Sequence, residues 1–422
     1  MKSPNVARMK NITRSVSDKG FFHLLSSNFA VQFLGFGVIL FLPSVLSPSE
    51  IGNARLLQSY SVLFILIGTF GYNVALLKVC AENITREEKA EVFKYCLYRT
   101  FFFSIISYVS LLVVNFFYIR GVNEVLGQWM PIYGVVIPFA AIVYCLTAYL
   151  QSQKRIKDVA KAQVIVRLTF LFLIILATYF FGFIGFVLST IISYFVGIFP
   201  FALFIPLAIF EGVGETNRKD QINHYAYFTF FGVVVTTIGQ YADLYLLDFL
   251  KVPDDRLGVY SYSILFLQAG MVVVNTVQSI VSPYISERQD NKEWVWVKTC
   301  YYQLLSFIFS IFIATGLYGG AILLTRYYLG EEYAELPDFV LGISGRFLIW
   351  SCFAVVGASL VGLGRFKEGF YLALITTPTG IILGYLFFPI WDIYGIIIAQ
   401  MIAATLTLLG CWAVFWRATR RS

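Results

Sequence analysis

Histidine is nearly absent from this chain: there are two among 422 residues, His23 and His224. They lie far apart, so histidine supplies no metal motif and no base beside a nucleophile. The six cysteines, Cys80, Cys96, Cys145, Cys300, Cys352 and Cys411, form no CxxC pair, which removes a zinc ribbon, a redox motif and a disulfide framework. No GxxxxGK[ST] occurs, so no P-loop for ATP is present in this chain. Charge is scarce as well, at 13% Asp, Glu, Lys and Arg, where soluble domains carry about 25%. What fills the space is apolar: 59% of residues are hydrophobic, including 42 Phe and 27 Tyr. Mean hydropathy is +0.76. Composition therefore excludes an ordinary soluble protein and predicts an all-α polytopic membrane protein.

A membrane-crossing helix needs about 20 apolar residues. Apolar stretches bounded by charge, Gly or Pro predict about twelve transmembrane helices. The first covers 21–46, the second 55–79, the fifth and sixth 160–181 and 183–210, the seventh 225–250, the tenth 338–363, and the last two 368–389 and 391–416. The fifth and sixth are parted only around Gly182, and the last two only around Pro389. The basic, polar segment before residue 21 precedes a full-length apolar stretch, which reads as a retained first helix rather than a cleaved leader.

Loop charge orients the set. Lys and Arg collect on the N-terminal tail, on alternate loops and after the last span. Only Arg55, Arg120, Lys251, Arg256 and Arg326 fall on the other side. The positive-inside rule then places both termini in the cytoplasm. The same bias explains the formal net charge of +7 without nucleic acid.

The chain repeats itself. In the first half Gln32, Pro48 and Gly52 precede SYSVLF; in the second, Gln240, Pro253 and Gly258 precede SYSILF. Two six-helix lobes, 21–210 and 225–416, follow as a parallel repeat, an arrangement suited to alternating access around a central cavity.

Ionisable residues within spans are costly unless they face a cavity or a partner. Arg167 lies about 9 Å into the fifth span and Arg346 about 12 Å into the tenth, taking 1.5 Å per residue. Each suits a phosphate through its planar fork; each is equally read as an interhelical ion pair or a snorkelling side chain. Asp243 lies about 10 Å deep in the seventh span, at the depth of Arg346. Either the two pair, or Asp243 binds a coupling cation or proton. Lys78 and Arg99 flank the cytoplasmic ends of the second and third spans, where they serve as anchors or as the first contact of an anionic headgroup. Asn28, Gln32 and Gly35, and likewise Thr236, Gln240 and Asp243, share one helix face by their spacing. Such polar stripes must face protein or water.

LQSYSVLFILIGTFGYNVALLKVCAE, with the LPSVLSPSEIG hairpin before it, resembles the Wzx-type oligosaccharide (O-antigen) flippases of the multidrug/oligosaccharidyl-lipid/polysaccharide exporter superfamily. QYADLYLL followed by LGVYSYS is similar to that family's second lobe. The resemblance implies a bacterial inner-membrane flippase, not an enzyme and without a cofactor. Its expected substrate is an oligosaccharide repeat unit on undecaprenyl pyrophosphate, moved to the periplasmic leaflet under an H+ or Na+ gradient. It further implies membrane lipids, and polysaccharide polymerase and chain-length proteins, as partners. The substrate site would comprise Arg346, Arg167, Lys78, Arg99, Asn28, Gln32 and Gln240, with Asp243 as the coupling group. A drug or metabolite:cation antiporter of the same superfamily is the nearest alternative, and a membrane glycosyltransferase or polymerase the more distant one.

Overall fold

The computed structural model describes residue 37 and residues 40–82, 84–206, 209 and 216–420. Among these, all regular structure is helical. The first expected span falls largely outside them, as do Asn28, Gln32 and Gly35. The helices are α1 Pro48–Thr69, α2 Tyr72–Ala81, α3 Arg86–Val114, α4 Glu124–Tyr133, α5 Val136–Ser152, α6 Ile156–Val196, α7 Ile198–Ala202 and α8 Lys219–Phe249. They continue with α9 Asp254–Glu287, α10 Lys292–Leu324, α11 Leu336–Ser351, α12 Ala354–Gly362, α13 Phe366–Trp391 and α14 Ile393–Arg420.

Eight helical stretches among the described residues are long and apolar enough to cross a membrane, and nine when α4 and α5, bent by 48°, count as one. α6 holds two crossings. Gly182 breaks it with φ 57° and ψ −138°, and the chain returns so that Phe170 and Tyr194 approach to 6.5 Å. α9, at 34 residues, is also long enough to cross, and its stretch from Leu257 to Val281 holds no Asp, Glu, Lys or Arg. The last two spans are divided at Asp392 (φ 54°, ψ −138°), not at Pro389. Pro389 lies inside α13, near its end.

The two halves share backbone irregularities at a constant interval. Gly182 and Asp392 adopt the same rare conformation 210 positions apart (392 − 182). At the same interval, α3 and α10 each run into a π turn, Asn115–Ile119 and Thr325–Leu329. Lys154 and Gly364 take positive φ, and the next residue of each pair, Arg155 and Arg365, bridges to Asp158 and Glu368. Side chains as different as Gly and Asp, or Lys and Gly, hold one backbone path at these points. The repeat is therefore a property of the fold.

The described residues form two compact units. One comprises those up to Val45 with Tyr60–Val234, the other Leu46–Ser59 with those from Val235 onward. In the first, Phe93, Cys96, Cys145 and Tyr149 sit in a core built from α2, α3, α5 and α6. In the second, Gly52 of α1 meets Gly258 of α9 so closely that a Cβ on Gly258 would lie 1.7 Å from the Pro48 carbonyl oxygen. Asn53 beside it donates to Asp254 at 3.2 Å. These two glycines occupy matching places in the sequence repeat.

Candidate functional site

In the second unit, α8 buries Asp243 to 2% exposure. An ionised carboxylate there needs partners to offset its lost hydration, and three groups supply them. Arg346 of α11 donates to Oδ2 at 3.0 Å, Tyr260 of α9 donates to the same oxygen at 3.0 Å, and the Leu244 amide donates to Oδ1. Arg346 keeps 20% of its side chain exposed, and the bond to Asp243 leaves most of its five N–H donors open to a ligand. The depth match in the sequence thus appears as a direct pair. Tyr260 carried no such signal, because a tyrosine in a Ser/Tyr-rich segment reads as packing. Thr236 and Gln240, on the same face of α8, are exposed where Asp243 is buried.

The first unit holds cations of another kind. Arg99 of α3 donates through Nε to the Tyr95 hydroxyl at 3.2 Å. Tyr95 donates onward to Asn223 Oδ1 at 3.1 Å, and Tyr72 donates to the same oxygen at 3.0 Å. Lys78 of α2 lies with Nζ 4.1 Å from the Tyr225 ring centroid, a cation–π contact. Tyr225 and Asn223 are two residues apart on α8, hence on nearly opposite faces. Lys78 and Arg99 therefore belong to separate environments.

Arg167 is exposed on α6. The exposed apolar stripe of that helix runs through Ile165, Leu168, Phe172, Leu176 and Tyr179. At 3.6 residues per turn, Arg167 is turned about 130° from that stripe, toward the side that carries buried Ala160, Ile174 and Thr178. An exposed charge on the inward side of a membrane helix must face water or a ligand. Among the described residues, Lys78, Arg99 and Arg167 form no salt bridge, whereas Arg346 does. No His, Cys, Asp or Glu group among the described residues is arranged to hold a metal.

The family model of a polysaccharide biosynthesis protein matches residues 17–289. The chain belongs to that polysaccharide biosynthesis family. Among curated proteins no sequence relative is found. Solved structures agree in fold. An inward-facing multidrug resistance MATE family transporter of the MOP superfamily matches with TM-score 0.73 and 15% identity over 95% of this chain and 99% of its own. The lipid II flippase MurJ, in an inward closed conformation, gives 0.72 and 15% over 94% of this chain and 89% of its own. A MOP superfamily transporter from Pyrococcus furiosus, described as having a binding pocket of reversed polarity, gives 0.69 and 12% over 95% and 96%. This polysaccharide biosynthesis family member is a multi-pass membrane protein with a transporter fold, in keeping with the resemblance seen in its sequence.

Proposed function

We propose that this protein flips an undecaprenyl-pyrophosphate-linked oligosaccharide repeat unit from the cytoplasmic to the periplasmic leaflet of a bacterial inner membrane, for O-antigen or another surface polysaccharide. The observation that carries the reading is the family match joined to Lys78, Arg99 and Arg167, three cations without a carboxylate among the described residues. Cations that are not already committed to a carboxylate keep their charge available to an anionic ligand.

The roles divide accordingly. Arg346, already paired to Asp243, presents a nearly neutral dipole and serves to orient. The unpaired cations supply the net attraction for pyrophosphate, while Gln240 offers an amide to sugar hydroxyls. Asp243 couples an H+ or Na+ gradient by exchanging Arg346 for the ion. The halves 21–210 and 225–416 act as the two bodies of alternating access, with both termini cytoplasmic.

The test is deletion in the host followed by complementation. Loss of surface polysaccharide with lipid-linked repeat units accumulating in the cytoplasmic leaflet is the expected result. Failure of Arg167→Ala to rescue at normal protein level would place that residue in the path. Unchanged polysaccharide with altered drug tolerance would overturn the reading in favour of an antiporter.

A further inference from the structure

α3 and α8 meet side by side at the basic end of the first unit. Tyr95 and Arg99, one turn apart on α3, face Asn223 and Tyr227, one turn apart on α8. Tyr95 and Asn223 are joined by the hydrogen bond described above, and the Tyr227 ring lies edge-on to Phe70, 5.5 Å between centroids, with Phe70 in turn beside Tyr72. Arg99 stands just before the apolar run that starts at Phe101, at the level where a helix passes from headgroups to hydrocarbon. The flanking surface is aromatic and open: Tyr98 is 68% exposed, Phe102 47%, Tyr227 49% and Phe228 62%. Exposed aromatics at that level belong to the lipid interface.

We propose that this cleft is a membrane-facing site for the phosphate of a lipid headgroup, with Arg99 as its anion ligand and Tyr227 at its rim. Several features favour a ligand over simple anchoring. A snorkelling arginine needs only water, whereas the Arg99 guanidinium is tied back by Nε to a relay of hydroxyls that ends on Asn223. That relay fixes the plane of the fork before anything binds, which lowers the entropy cost of capture. Its remaining donors meet no carboxylate among the described residues. The relay is neutral throughout, so nothing in it offsets the charge. Lys78, on the other face of α8, is not part of the site.

A lipid phosphate can come from bulk anionic phospholipid or from a polyprenyl-phosphate substrate. The site refines the flippase reading for Arg99, and its assay measures lipid retention rather than transport, so the two fail separately. The full chain would be placed in phosphatidylcholine nanodiscs containing a small share of phosphatidylglycerol, then released and weighed intact with its retained lipid. Wild type and Lys157→Gln, an exposed lysine elsewhere on the basic side, are expected to hold phosphatidylglycerol over phosphatidylcholine. Arg99→Gln should lose that preference about tenfold, Arg99→Lys should restore part of it, and Tyr227→Ala should weaken it. Displacement by added undecaprenyl phosphate would support the site with substrate as its source. Retention against that competitor would support it with bulk phospholipid as its source. Equal retention by Arg99→Gln and wild type, or no preference for either phosphate lipid in wild type, would overturn it. Folding is controlled by the thermal unfolding of each variant, and Arg99→Lys keeps the test valid where Arg99→Gln unfolds.

Discussion

Asp243 and Arg346 show what one buried pair demands of its neighbours. Removing one partner of such a pair leaves the other charge desolvated, at a cost of about 3 kcal/mol. Arg346→Met should therefore lower the unfolding temperature in detergent clearly. Asp243→Asn should cost less, because an amide oxygen still accepts from Tyr260 and Arg346 retains some exposure. The double variant Asp243→Asn with Arg346→Met is expected to be more stable than the sum of its parts, which a double-mutant cycle would read directly. If the two effects simply add, the pair does not hold the second unit together. A separate measurement addresses coupling: transport by Asp243→Asn that keeps its full gradient dependence would remove Asp243 as the coupling group. The sequence made this pair legible because two opposite charges at one membrane depth are rare. It did not reveal Tyr95, Asn223 or Tyr260, since hydroxyls and amides near helix ends are common and their partners come from distant segments.

Helix breaks distinguish the two halves at the next scale. α1 and α2 are separated at Phe70 (φ 46°) and Gly71 (φ 74°), and a Cβ on Gly71 would lie 2.3 Å from the Ala226 carbonyl oxygen. Their counterpart α9 runs unbroken. The second half breaks between α11 and α12, later in its span than the α4–α5 bend of the first half, and Gln303 of α10 fills that gap. Its Nε2 donates to the Ser351 carbonyl, and its Oε1 accepts from the Val355 and Val356 amides. Trp412 donates to the Cys352 carbonyl. Backbone freed inside a membrane must find such partners. Gln303→Leu would strand three groups at once and is expected to cost about 3 kcal/mol, visible as a lower unfolding temperature and easier proteolysis near residue 353. A wild-type profile would mean that water serves the break equally well. Span positions were legible from hydropathy, and the turn at Gly182 from its glycine. The turn at Asp392 was not, because an aspartate at positive φ leaves no compositional mark while the nearby Pro389 suggests a boundary. Arg256 of α9 binds Asp392 as well as Glu335, which helps hold a conformation that glycine adopts freely at Gly182.

For the whole molecule, the proposed flippase needs a water-filled path among these helices, and Arg167 offers a direct way to find it. Beyond Lys157 and Lys161 at its start, the exposed residues of α6 are an apolar stripe that meets lipid and one arginine turned away from it. If that side opens to water, a cysteine at 167 will react with a charged, membrane-impermeant thiol reagent, while cysteines at Ile165 and Leu168 will stay protected by hydrocarbon. The background is manageable: Cys80, Cys96, Cys145 and Cys411 are buried, so Cys300→Ser and Cys352→Ser remove the two partly exposed thiols. Reaction at 167 alone is the expected pattern. Equal protection at all three positions would make Arg167 an interfacial anchor and leave the first unit with fewer cations for an anionic substrate. If reactivity at 167 falls when undecaprenyl phosphate is added, the substrate occupies that water. Reactivity at 167 that is indifferent to undecaprenyl phosphate would instead place the water beside Arg167 outside the substrate's route.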